Sequence, residues 1–167
     1  KWVPQMSDAA DIVERVHKQG RQFVLTPNSK GMERALHVGA KSVAVFVGVS
    51  NTFNMKNINK TTAQSMEELK PLIINLKQQG YFVRACISTA FYCPYEGKMA
   101  VEDTLSLCKE FATWGVDELS AADTIGMANP QESHALFSLL IREIPTVLMT
   151  AHFKKKKKMG LANVYAA

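Results

Sequence analysis

The chain has 167 residues, 47% of them apolar, with 20 basic and 15 acidic side chains and a formal net charge of +5. That length and apolar content suit a single globular domain with a sizeable core and exclude a disordered segment. The run of five lysines at 154–158 accounts for the whole excess of positive charge, so the sequence offers no spread-out basic surface for nucleic acid.

In chain order, Ser7 can cap a first helix that carries Ile12, Val13 and Val16 on one face and ends at Gly20. Short apolar runs at 22–25, 42–49, 81–89, 116–120 and 146–153 are rich in β-branched or aromatic residues, the pattern of strands buried on both faces. Between the second and third, Thr61 with Gln64 forms a capping box ahead of Met66, Leu69, Ile73 and Leu76, and Gly80 closes that helix. Leu105, Cys108, Phe111 and Ala112 line another helix ending near Gly115. Asn129, Pro130 and Glu132 then supply cap, first-turn proline and box partner for a helix with Leu136, Leu139 and Leu140 inward. This alternation, about five βα units, predicts a parallel α/β sheet in one domain over residues 1–167.

Polar residues gather at or just past the carboxyl ends of the predicted strands: Thr26 and Asn28, Ser50 and Asn51, Ser88 and Thr89, Asp123 and Thr124, and His152. In parallel sheets that edge binds ligands, whether the sheet is open or closed into a barrel. Neither G-x-G-x-x-G nor G-x-x-x-x-G-K-[ST] occurs, so dinucleotide and P-loop readings find no support. Cys86, Cys93 and Cys108 have no paired spacing, which argues against a disulfide framework or a zinc site and fits a reducing compartment. No apolar run reaches the roughly 18 residues of a membrane span, and no signal-peptide layout opens the chain. The first residues, "KWVPQM", read as mid-loop sequence without an initiating Met, so a piece of a longer protein is expected.

Six segments in order resemble the 3-hydroxy-3-methylglutaryl-CoA lyases: "KWVPQM" at 1–6, "VLTPNSKG" at 24–31, "KNIN" at 56–59, "CPYEGK" at 93–98, "DTIG" at 123–126, and "AHF" at 151–153 with "GLAN" at 160–163. The resemblance covers essentially the whole chain. It implies a partial (β/α)8 TIM barrel running from just after the second strand to the start of the helix after the seventh. It further implies a divalent cation, Mg2+ or Mn2+, an acyl-CoA substrate and a carbon–carbon cleavage giving acetyl-CoA and acetoacetate, as in leucine degradation and ketone-body metabolism. Location would be cytoplasmic in a bacterium or the mitochondrial matrix in a eukaryote, with no membrane partner and with homo-oligomer formation open.

By resemblance, His152 is a metal ligand, Asp123 is catalytic, and Ser120 and Thr124 approach the acyl group, with Ser88, Asn57, Asn59 and Arg84 as further substrate-binding candidates. Alternatives stand beside several of these. Asp123 can equally cap the next turn, Asn57 and Asn59 can be turn-formers, and Arg84 can pair with an acid across the sheet. His17, His37 and His134 sit in helical patterns and carry no assigned chemistry, and the cysteines read as core fillers. Where the family has a second imidazole two residues after the first, this chain has Lys154, whose ammonium offers no lone pair near neutral pH. The lysine tract is therefore expected to weaken or abolish metal binding. The family's Arg–Asp pair of the first strand and cysteine loop of the eighth have no counterpart in these residues, so the 167-residue chain is expected to lack lyase activity on its own. Self-association through sheet edges and related aldolase or acyltransferase chemistry are the alternative readings.

Overall fold

The computed structural model describes residues 7–16, 22–155 and 159–167. Expectations for "KWVPQM", His17, Gly20 and lysines 156–158 lie outside them. The first helix, α1 (Ala9–Val16), forms as its pattern predicts but buries none of its residues, and Ile12 on the expected inward face is 51% exposed. The edge strand β1 (Val24–Leu25) is only two residues long, shorter than its apolar run.

Helix α2 (Ser29–His37) was not evident from the apolar pattern; its start is fixed by Asn28, whose side chain accepts the Gly31 N–H at 2.8 Å. Strand β2 (Ser42–Gly48) follows, then α3 (Asn51–Ile58), capped by Ser50, and α4 (Thr62–Gln78), with the Thr61/Gln64 capping box formed as expected. After β3 (Phe82–Ser88), a small antiparallel hairpin of β4 (Tyr92–Cys93) and β5 (Gly97–Lys98) interrupts the alternation. The chain continues through α5 (Val101–Thr113), β6 (Glu118–Asp123), α6 (Pro130–Glu143), β7 (Leu148–Phe153) and α7 (Gly160–Ala166).

The main sheet has five parallel strands in the order β1-β2-β3-β6-β7, each beside its predecessor in the chain. Right-handed crossovers that always advance in one direction return along one face, so the long helices cover a single side of the sheet. That side is the core. Val43, Val45, Val47, Val83, Ala85, Ile87, Leu119 and Ala121 meet Met66, Leu69, Ile73 and Leu76 of α4, Phe111 of α5 and Leu136 and Leu140 of α6. The opposite, open face presents the intervening residues, and two of them, Leu25 and Leu148, are each 58% exposed.

At the amino-terminal ends of the strands the Lys77 ammonium clamps Asp117 at 2.7 and 2.6 Å and also donates to the Tyr81 carbonyl at 2.9 Å. Asp117 in turn accepts the Val83 N–H at 2.7 Å, so one ion pair ties α4 to β3 and β6. Among the described residues no helix is long and apolar enough to cross a membrane.

Candidate active-site rim

Strand register decides which side chains meet on the open face. Gly48 pairs with Ser88, the adjoining Ile87 with Ala121, and Ala122 with His152, which sets Gly48, Ser88, Ala122 and His152 in one row at the carboxyl edge. One step down lie Phe46, Cys86, Ser120 and Thr150, and below them Ala44, Arg84, Glu118 and Leu148. Ser88, Ser120 and His152 thus share the open face. Ser120 is largely buried and His152 is exposed.

Past this row the chain ends are bound together by side chains. Asn54, fully buried in α3, accepts the Gly48 N–H at 2.8 Å and donates back to the Gly48 carbonyl at 3.1 Å and to Thr62 Oγ1 at 2.9 Å. A Cβ at Gly48 would lie 2.9 Å from the Phe53 ring and 3.0 Å from Asn54 Oδ1, so glycine is needed for this close approach. The Ser50 hydroxyl accepts the Phe53 N–H at 3.0 Å and the Cys93 thiol at 3.0 Å, which roots the β4–β5 hairpin on β2. The hairpin is also stapled outward: Tyr92 Oη and Lys98 Nζ both donate to Glu132 Oε1 at 2.7 Å, and Glu96 Oε1 accepts the Thr52 N–H at 2.8 Å.

These contacts shift the groups' acidities. Burial alone would raise the Glu132 carboxyl, but hydrogen bonds from Lys98, Tyr92 and the Asn129 backbone together hold it below the usual carboxylate range. The bond from Thr52 holds Glu96 low as well. Tyr92 is raised, chiefly by its bond to Glu132. On the open face, burial raises the Cys86 thiol against the lowering influence of Arg84.

The remaining candidates separate. Asp123 is fully buried, and its two oxygens accept the Met127 N–H at 3.0 Å and the Ala128 N–H at 3.1 Å. Alternation along β6 also puts it on the side of Leu119 and Ala121, away from the open face. Of its two readings, turn capping is the one this geometry displays. Arg84 NH2 lies 2.8 Å from Glu118 Oε1 and donates to Oε2 at 3.0 Å, while its guanidinium stacks 3.8 Å over the Phe23 ring, so the cross-strand pairing is formed. Arg84 Nε and Glu118 Oε1 are buried and make no hydrogen bond to a described residue. Asn59 occupies the left-handed C-cap of α3 with φ 55°, a turn-former as one reading had it. Asn57 is not in a loop at all; it is an exposed residue within α3. Thr124 accepts the Thr89 N–H at 2.7 Å. Asn54, which does much to shape the rim, was not singled out by the sequence, because α3 has no apolar stripe to betray a buried face; Thr89 was placed at the rim, but nothing in the composition of β3 marks its left-handed turn.

A divalent cation does not fit the described residues alone. His152 is one exposed imidazole beside Lys154, Asp123 is committed to backbone, and no group of three or more His, Cys, Asp or Glu side chains could hold an ion among the described residues. What the arrangement offers is an array of hydroxyls, Ser88, Ser120 and Thr124, beside an imidazole along one strand edge.

A family model described as HMGL-like matches residues 1–167. A hydroxymethylglutaryl-CoA lyase of Bacillus subtilis (strain 168) is 35% identical over 169 aligned positions, covering 100% of this chain and 56% of that protein. The crystal structure of hydroxymethylglutaryl-CoA lyase from Pseudomonas aeruginosa superposes with a TM-score of 0.91 at 34% identity, over 99% of this chain and 56% of that one. An Acinetobacter baumannii HMG-CoA lyase in complex with coenzyme A and 3-methylmalate gives a TM-score of 0.91 at 30% identity, over 98% and 54% of the two chains. This chain therefore spans about half the length of the relatives it matches, and its five-stranded sheet corresponds to part of their barrel.

Proposed function

Because the chain belongs to the HMGL-like family, we propose that it forms the acyl-binding part of a carbon–carbon lyase that cleaves 3-hydroxy-3-methylglutaryl-CoA to acetyl-CoA and acetoacetate. The observation that carries this reading is the match over the whole chain at 34–35% identity to proteins named for that reaction, with near-complete superposition on one of them. The structure with coenzyme A bound supports an acyl-CoA as the ligand class.

In this reading Ser88, Ser120 and Thr124 donate hydrogen bonds to oxygens of the acyl group, and Asn57 and Asn59 at the end of α3 flank the thioester arm. Cleavage is a retro-Claisen step: a base takes the tertiary hydroxyl proton, the carbon–carbon bond breaks, and the electron pair comes to rest on the acetyl fragment as an enolate. The family is generally metal-dependent. The described donors do not suit a divalent ion, and His152 supplies the only imidazole that the open face presents among the described residues.

Titration of the 15N-labelled chain with 3-hydroxy-3-methylglutaryl-CoA tests the proposal. Shifts are expected at the amides of Ser88, Ser120 and Thr124 and not at Lys77 or Asp117, at the other end of the strands; an undisturbed rim refutes it. A coupled assay with added Mg2+ is expected to detect no acetoacetate from the chain alone. In a parallel titration, Mn2+ should leave the His152 ring signals of the native chain sharp and broaden them in Lys154→His; equal broadening in both would show that the lysine does not disable the site.

A second reading, self-association, draws on Leu25 and Leu148, both exposed on the open face of the two edge strands. A mass that stays monomeric by light scattering at all concentrations would dismiss it.

A further inference from the structure

Thr89 adopts a backbone conformation that its side chain disfavours. Its φ is 54° and it is fully buried. The left-handed region is an outlier for a β-branched residue, and such strain persists only where surrounding contacts over-determine it. The contacts here are specific. Thr89 Oγ1 accepts the Ser50 N–H at 3.2 Å and donates to the Ser88 carbonyl at 2.7 Å, while the Thr89 N–H donates to Thr124 Oγ1 at 2.7 Å. The next residue, Ala90, donates its N–H to the Ala122 carbonyl at 3.1 Å, and the Ser88 carbonyl also accepts the Val49 N–H at 3.0 Å. One residue thereby joins the ends of β2, β3 and β6.

The left-handed turn has a consequence for direction. It brings the Thr89 hydroxyl to Ser50 and the Ala90 N–H to Ala122, while the amide of residue 89 bonds Thr124 and Ser88 stays on the open face beside Ala122 and His152. With β3 held by its ladder, relaxing residue 89 to extended backbone would swing its hydroxyl away from the Ser50 N–H and carry the Ala90 N–H away from the Ala122 carbonyl, releasing the end of β6 from which Thr124 follows. We infer that Thr89 is a positioning residue: its hydroxyl locks the strand-end turn that sets the orientation of Ser88 and Thr124 toward the acyl ligand. The lock itself stands on the hydrogen bonds above; its role toward a ligand rests on the lyase reading.

Three variants separate the hydroxyl from the turn. Thr89→Ser keeps the hydroxyl, Thr89→Val keeps the shape and removes it, and Thr89→Gly removes it while accepting a positive φ without steric cost. In Thr89→Val and Thr89→Gly the Ser50 amide is expected to exchange with deuterium about tenfold faster, as for one lost hydrogen bond, while Thr89→Ser matches the native rate. The three-bond HN–Hα coupling at position 89 should shift toward extended backbone in the valine variant alone. With acetyl-CoA as probe, the shifts of the Ser88 and Thr124 amides should shrink in Val and Gly and recover in Ser. Should the valine variant not fold, the glycine variant carries the test. Native exchange rates in both would overturn the lock. Accelerated exchange with an unchanged response to acetyl-CoA would overturn the positioning role. Accelerated exchange in a protein whose native form shows no response to acetyl-CoA would leave the lock standing and refute the lyase reading instead.

Discussion

Asp123→Asn exchanges one carboxylate oxygen for an amide nitrogen at almost constant volume, and it distinguishes a carboxylate that holds a loop from one that serves a substrate. In the native protein Oδ1 accepts from the Met127 N–H and Oδ2 from the Ala128 N–H, and solvent does not reach the residue. Asparagine can accept only one of these donors; its NH2 then faces the other N–H, leaving donors opposed in a buried place. A hydrogen bond to a charged group contributes about 1.5–3 kcal/mol and an orphaned buried donor costs about 1–3 kcal/mol. With one bond weakened from charged to neutral and one lost, the expected destabilisation is about 2–4 kcal/mol. At about 2–4 °C per kcal/mol for a domain of this size, Tm should fall by about 4–16 °C. Urea unfolding should show a lower midpoint at unchanged slope, and the amides of residues 127 and 128 should lose protection. An asparagine variant within about 0.5 kcal/mol of native that has lost its response to the acyl-CoA would refute the reasoning and return Asp123 to the catalytic role.

Arg84→Met should cost about 2–3 kcal/mol, because it leaves the nearly buried Glu118 carboxylate without its cation, the figure being discounted for the partial exposure of Arg84. Arg84→Met combined with Glu118→Met should recover most of that loss, and strict additivity in the urea-unfolding cycle would count against the pairing. The two carboxylates that staple the hairpin, Glu132 of α6 and Glu96 between β4 and β5, are held low, so their contribution is present above the ordinary carboxyl pKa and is lost as pH falls through the depressed values. Limited proteolysis between residues 94 and 98 should therefore accelerate on acidification below about pH 4.5, and Glu132→Gln should cut the hairpin as readily at neutral pH; a pH-independent cutting rate would remove the staple from the account. Burial pushes the Cys108 thiol up to about 12, so it stays protonated near pH 8, and iodoacetamide should modify it only after unfolding. Rapid native labelling of Cys108 would contradict its place on the buried face of α5.

The sequence was legible where apolar period and capping chemistry agreed. Met66, Leu69, Ile73 and Leu76 fall inward as their spacing demands, and both capping boxes form. It misled at α1, where Ile12, Val13 and Val16 trace an amphipathic helix that fully buries none of them among the described residues. Helix α3 escaped notice because the side chain it buries is Asn54, whose hydrogen bonds to Gly48 involve a residue six positions away and leave no periodic trace. The rim polar residues were legible as a set but not in role. Asn28 and Ser50 are consumed in starting helices, and Asp123 in closing a turn, so hydroxyls on the open face remain. The turn at Thr89 was out of reach of local propensity, which argues against a positive φ there; only the three strand ends that meet around it make that conformation tenable.

The Lys77–Asp117 clamp sits at the far end of the strands from the hydroxyl array. In the lyase reading, this anchorage lies at the opposite strand ends from the hydroxyls proposed to meet the ligand. A library randomised at positions 88 and 120, with the Thr124 acceptor of the Thr89 N–H kept, can wander widely in ligand preference without loosening the foundation, whereas a single charge swap at the clamp should erode every ligand preference together.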